Sequence, residues 1–314
     1  MNNVLIALSN YYNKLYFPYI ESILCEKIDC CYLLNYDYNP FEIQELKEMD
    51  FGFELKFIKS LDEIENVKHI FLTRNNEMTY NKIYEIAKKF SSKVIEINNI
   101  NTKQEKNSLI NINSKINFIL KNKTIVLIGG IADINIQINL EIFLYDKLNK
   151  EDVNVVSFFS QNMYGIFNEF SFDELLLMSK NEYNFSDDIN NRLSNADVII
   201  IGLPGNVSKL NNHLTCIYPL LINEINPDCF VIAATDDYDK ESIEHINFMF
   251  NCNIDMVCLL GYKQLIEKDG DYSKIDIFST KSSKERFIAF EKYYDHIIEK
   301  ITIPENISKI NFDK

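Results

Sequence analysis

The chain has 314 residues, is 46% hydrophobic and 25% charged, and so has the composition of a folded globular protein long enough for two domains. Its net charge of −14 argues against nucleic acid or an anionic membrane as a partner, since both require clustered Lys and Arg. The opening MNNVLIALSNYYNK lacks the basic region and long apolar core of a signal peptide. The apolar runs are strand-sized, short of the roughly 18 residues that a spanning helix needs.

The first part of the chain alternates strand-like and helix-like segments. Strands are predicted at NVLIALS (3–9), CCYLLNY (30–36), FELKFIK (53–59), HIFLTR (69–74) and KVIEIN (93–98). Between them, YFPYIESILCEK and NKIYEIAKKF carry apolar residues at helical spacing. This alternation predicts a Rossmann-like α/β domain over residues 1–100 with a mainly parallel sheet. The seven cysteines are odd in number and dispersed apart from Cys30-Cys31, with no C-x-x-C. Free thiols in a reducing cytosol are the simplest account.

Residues 101–123 are polar and rich in Asn and Lys, and are read as a linker. The alternation restarts in a second α/β domain over 124–314. Strands are predicted at TIVLIGG (124–130), VNVVSFF (153–159), DVIIIG (197–202), CFVIAAT (229–235), DMVCLLG (255–261) and KIDIFST (274–280). A closing helix begins near Ser282 or Ser283, with Phe287, Phe290, Tyr294, Ile297 and Ile298 along one stripe.

In a doubly wound sheet, ligands sit beyond the carboxyl ends of the strands, where helix N-termini present unpaired amides. Gly129 and Gly130 stand at that point of the second domain. They are either a turn that lets a helix over 134–148 pack on the sheet or the remnant of a phosphate loop. The loop pattern G-x-x-x-x-G-K-[ST], counted from Gly129, puts Ile134, Asn135 and Ile136 where the second glycine, the lysine and the magnesium hydroxyl belong. The pattern fails there, and G-x-G-x-x-G fails as well. ATP or GTP remains the candidate cofactor for an altered pocket, without a clear magnesium site.

Two further strand ends supply candidates for the same rim. Gly202-Leu203-Pro204-Gly205 is read as a loop after its strand, with two of the chain's eight glycines implying a demanding backbone or a close ligand. Asp236, Asp237 and Asp239 follow the next strand, either capping a helix or holding a hard cation. The isolated histidines offer no zinc spacing, and Ser160, Ser171 and Ser208 have no nucleophile-elbow context. The rim is therefore expected to gather Gly129, Gly130, Asn135, Gly202, Pro204, Gly205, Asp236 and Asp237.

The segments GIFNEFSF (165–172), IIIGLPG (199–205) and INPD (225–228) resemble the clostridial peptide-maturation accessory proteins. These are encoded beside radical SAM maturases of small Cys-rich peptides. The resemblance implies a short N-terminal α/β domain, a C-terminal domain similar to a P-loop NTPase fold, and a peptide maturase with its precursor peptide as partners. It covers about a third of the chain. The family pattern has a lysine and a glutamine after the glycine turn where this chain has Asn135 and Asn139, so a non-catalytic role is expected. The alternative is an ATP- or GTP-dependent enzyme similar to the dethiobiotin-synthetase type of P-loop protein.

Overall fold

The computed structural model describes residues 2–7, 20–24, 26–34, 43–44, 46–47, 51–73, 77–97, 120, 122–131, 137–160, 169–179, 187–207, 218–251, 253–269, 272–279, 281 and 283–301. They form an α/β protein with two mainly parallel sheets, each in its own compact unit. The first unit holds the described residues up to 97, and the second holds those from 120 onward. Nearly all of the expected linker lies outside the described residues, as does Asn135.

In the first unit, β1 (Asn3–Ala7), β2 (Cys30–Leu34), β3 (Glu54–Ile58), β4 (His69–Thr73) and β5 (Lys93–Ile97) are parallel in the order β3-β2-β1-β4-β5. The central strand runs Val4, Leu5 and Ile6, all fully buried, as a strand covered on both faces requires. Helices α1 (Ile20–Leu24) and α2 (Glu77–Phe90) belong to this unit, and Ile83 and Ala87 of α2 join the core.

The second sheet comprises β6 (Thr124–Gly130), β7 (Val155–Phe159), β8 (Phe170–Ser171), β9 (Val198–Asn206), β10 (Cys229–Ala234) and β11 (Met256–Leu259). It is parallel throughout in the order β11-β10-β6-β9-β7-β8, with β6 inside between β10 and β9. Helix α3 (Ile138–Lys150) packs on β7 and β9. It is joined by the closing helix α8 (Ser283–Lys300), whose Phe290 ring lies 5.4 Å from that of Phe143. Helices α4 (Phe172–Ser179), α5 (Asp187–Asn195), α6 (Tyr218–Ile225) and α7 (Lys240–Phe250) contribute Phe172, Leu175, Leu193, Tyr218, Ile222 and Phe250 to a separate core with β6, β9 and β10. The four described cysteines (Cys30, Cys31, Cys229 and Cys258) are free and buried on β2, β10 and β11.

The structure departs from the sequence reading at the second-unit glycines. Gly129 and Gly130 are not a turn; both lie within β6 and pair with Ile232 and Ala233 of β10. Gly202-Leu203-Pro204-Gly205 is not a loop after its strand but continues β9. Ile128 pairs with Gly202 while Gly130 pairs with Asn206, so β9 bulges by two residues against Gly129. A bulge is where proline, lacking an amide hydrogen, is tolerated inside a sheet. Gly205 there has φ +80°, a conformation that favours glycine. The amide of Val207 donates to the Gly130 carbonyl (2.8 Å) and closes the bulge.

Sequence reasoning also missed two strands, the short β8 and a longer one, β12 (Tyr262–Asp269). The segment read as KIDIFST is β13 (Tyr272–Ser279), which pairs antiparallel with β12 as a two-stranded sheet of its own.

Candidate functional site

Parallel strands leave their carboxyl ends on one edge, and in the second unit β10, β6 and β9 are direct neighbours. That edge therefore gathers Gly129, Gly130, Gly202, Pro204 and Gly205. Asp236 and Asp237 follow the end of β10 on the same edge. Asn135 is the one expected site residue outside the described residues.

The aspartates have structural partners. Asp239 caps α7 by accepting from the Glu241 amide (3.0 Å), and Asp236 accepts from the Gly261 amide (3.2 Å). Asp237 is exposed. Among the described residues, no group of three or more His, Cys, Asp or Glu side chains is placed to share a metal ion. Asp239→Ala is expected to lower stability by about 1 kcal/mol through loss of the cap, measured by urea unfolding of the whole chain.

The glycines make room for the side chains of Gln137, which caps α3, and Glu141 within it. A Cβ on Gly130 would overlap the Gln137 amide oxygen, and one on Gly202 would overlap all three carboxyl atoms of Glu141. A Cβ on Gly129 would point to the other face, 3.1 Å from Ile232 and 3.2 Å from Val207. Two residues absent from the expected rim thus sit at its centre. Gln137 donates its side-chain amide to the Leu203 carbonyl of the bulge.

Glu141 is fully buried and accepts, at Oε2, from the backbone amide of Ser160 (2.9 Å), just beyond the end of β7. The Ser160 hydroxyl and the Gln137 side chain also lie against the carboxyl and favour its ionised form. Burial pushes the Glu141 carboxyl up to about 7, against the stabilising Ser160 amide and hydroxyl and the Gln137 side chain. The signal for it was available in the sequence. Helical spacing places Gln137 and Glu141 in line with Leu144 and Leu148, on the buried stripe of α3.

Several described hydrogen-bond donors on this edge are engaged within the fold. The Ile131 amide donates to the Ala233 carbonyl (3.0 Å), and the Val207, Ser160 and Gln137 donors are engaged as described. The Pro204 carbonyl accepts from the buried Tyr218 hydroxyl.

A second buried carboxylate lies at the start of β8. Glu169 is paired with Arg192 of α5 and accepts from Tyr145 (2.9 Å) and from the Ser157 amide (2.9 Å). Burial still raises its carboxyl above the usual range. With every contact internal, this cluster ties α3, α5, β7 and β8 together and reads as structural.

In the first unit, an open cleft of about 360 Å³ is lined by Tyr32, Lys47, Lys56, Glu63 and Glu65 among others. Lys56 pairs with Glu54 (3.2 Å) and lies over the Tyr32 ring, so the cleft has mixed charge and no convergent set of donors.

No family model matches the chain, and no curated protein does. Among solved structures, it is similar to a DUF1611 family protein from Anabaena variabilis, at 11% identity over 82% of this chain and 88% of that one, with a TM-score of 0.45. It is also similar to the UDP-N-acetylmuramate:L-alanyl-γ-D-glutamyl-meso-diaminopimelate ligase of Neisseria meningitides. That match has 8% identity, covers 95% of this chain and 94% of that one, and has a TM-score of 0.29. At these values neither likeness assigns a family, a ligand or a reaction to the chain.

Proposed function

We propose that the chain is a non-catalytic accessory protein of a peptide natural-product maturation system, acting with a radical SAM peptide maturase and its precursor peptide. The carboxyl edge of its second sheet is a degenerate nucleotide or anion pocket. The accessory role rests on the resemblance carried by residues 165–172, 199–205 and 225–228.

One observation supports the loss of nucleotide chemistry. A phosphate needs free amides and a cation, whereas the Ile131, Val207 and Ser160 amides and the Gln137 side chain are engaged and a buried carboxyl stands beside them. An ionised Glu141 repels a phosphate, and a neutral one contributes no positive charge to hold it.

Two measurements test the proposal. The purified chain with ATP or GTP and magnesium is expected to release no phosphate above the blank. Turnover would favour the dethiobiotin-synthetase-like alternative. A strain carrying Gly205→Val is expected to lose peptide maturation while the protein still accumulates, at a stability cost of about 1–3 kcal/mol for the strained bulge. Full maturation in that strain would remove the edge from the function.

A further inference from the structure

Strands β12 and β13 form a sheet of their own, apart from the two parallel sheets. The hairpin is tied at its base, where the Asp236 amide donates to the Tyr262 carbonyl (2.6 Å) and the Arg286 guanidinium lies over the Tyr262 ring (5.0 Å). Beyond the base, the two strands have no extensive contact with any other described element. Each strand has eight residues and spans about 25 Å. A two-stranded hairpin is marginally stable in water by itself, and a third strand relieves that weakness. Among the described residues, β12 and β13 each leave one edge unpaired.

The two edges differ in sequence. β12 carries Lys263, Glu267, Lys268 and Asp269, the charge density of a guarded edge. β13 (YSKIDIFS) carries only Lys274 and Asp276 among apolar, aromatic and hydroxyl residues. Its outward-facing amides and carbonyls fall on alternate residues, so two antiparallel copies of β13 match only in registers centred on a residue. Centring on Ile275 puts Lys274 opposite Asp276 twice, Tyr272 opposite Phe278 twice, and Ile275 opposite itself. Registers centred on Lys274 or Asp276 place like charges opposite each other. Across an antiparallel ladder, opposite charges and aromatic pairs are favourable and like charges are not.

We infer that β13 is the contact strand of a homodimer, in which a twofold axis at Ile275 joins two hairpins into one four-stranded antiparallel sheet. The strand order is β12-β13-β13-β12, with each copy contributing one of the inner strands. An isologous contact of this kind closes on itself, so assembly stops at two. The dimer requires neither a nucleotide nor a maturase.

Sedimentation velocity of the whole chain, from about 1 to 100 μM, is expected to show a monomer–dimer equilibrium, since one strand pair is a small interface. Asp276→Lys sets lysine opposite lysine at both charged positions and should weaken the dimer about tenfold or more. Adding Lys274→Asp restores opposite charges across the twofold. Adding Glu267→Lys as well keeps opposite charges where residue 267 pairs with residue 274 inside the hairpin. The triple variant should therefore regain the parental affinity, and Lys263→Glu on the β12 edge should leave it unchanged.

A chain that stays monomeric, assembles beyond two, or dimerises equally well with Asp276→Lys would overturn the β13 contact. So would a triple variant that does not recover, because Asp276→Lys would then have acted by damaging the hairpin. A loss with Lys263→Glu as large as that with Asp276→Lys would overturn it too, by moving the contact to β12.

Discussion

Gly202→Ala is expected to destabilise the second unit by about 3 kcal/mol, the upper end for inserting one carbon into a packed interior. The new Cβ would overlap the carboxyl group of Glu141. A flexible side chain at the surface would swing aside, but Glu141 is fully buried under α3, and its Oε2 is held by the Ser160 amide. Moving it breaks that bond or shifts the helix. The double-mutant cycle gives the decisive reading: in a Glu141→Ala background the same glycine change should cost under about 1 kcal/mol. Urea unfolding of the four proteins measures the coupling. Equal costs in the two backgrounds would mean that the glycine serves the β9 backbone and not the carboxyl.

Glu141→Gln is expected to change how stability depends on pH. The folded-state carboxyl titrates at about 7, against the ordinary 4.5, so between those values the folded chain holds a proton that the unfolded chain has lost. Stability from this group is therefore fully present below pH 4.5, falls as pH rises toward 7, and is level above it. The window amounts to about 3 kcal/mol. The glutamine variant lacks this titration. Its stability relative to the parent should climb by about 3 kcal/mol between pH 4.5 and 7.5 and then stay constant. His69, whose pKa burial lowers, titrates in both proteins and cancels in the comparison. A difference that does not change with pH would mean that the carboxyl reaches water.

Much of the sheet architecture was legible because parallel strands covered on both faces are continuous apolar runs. TIVLIGG, DVIIIG and CFVIAAT could hardly be anything else. The hairpin strand Tyr262–Asp269 was not, since Lys263, Gln264, Glu267 and Lys268 interrupt any apolar run. The usable sign was the Gly270-Asp271 pair between it and the next strand. The glycines misled for a different reason. Gly202 and Gly205 signal an unusual backbone, but composition does not separate a loop from a two-residue bulge, whose register depends on the neighbouring strand. Glu141 escaped notice because it lies on a helix and not at a strand end, where ligand sites are expected. A charged residue on the apolar stripe of α3 is a helix-period signal, and it would have pointed to this fully buried carboxyl.

The buried cysteines have a practical consequence for following motion in this protein. Only the thiolate reacts with alkylating reagents, and burial pushes Cys30 up to about 11 and Cys229 up to about 12, with Cys31 and Cys258 also raised. In the closed protein these sulfurs are shielded twice, by lack of access and by lack of ionisation. Modification then proceeds through transient opening, and its rate measures the free energy of that opening. Cys30 and Cys31 belong to one sheet, and Cys229 and Cys258 to the other. Peptide-resolved labelling thus separates the breathing of the two halves, with no probe added to the chain.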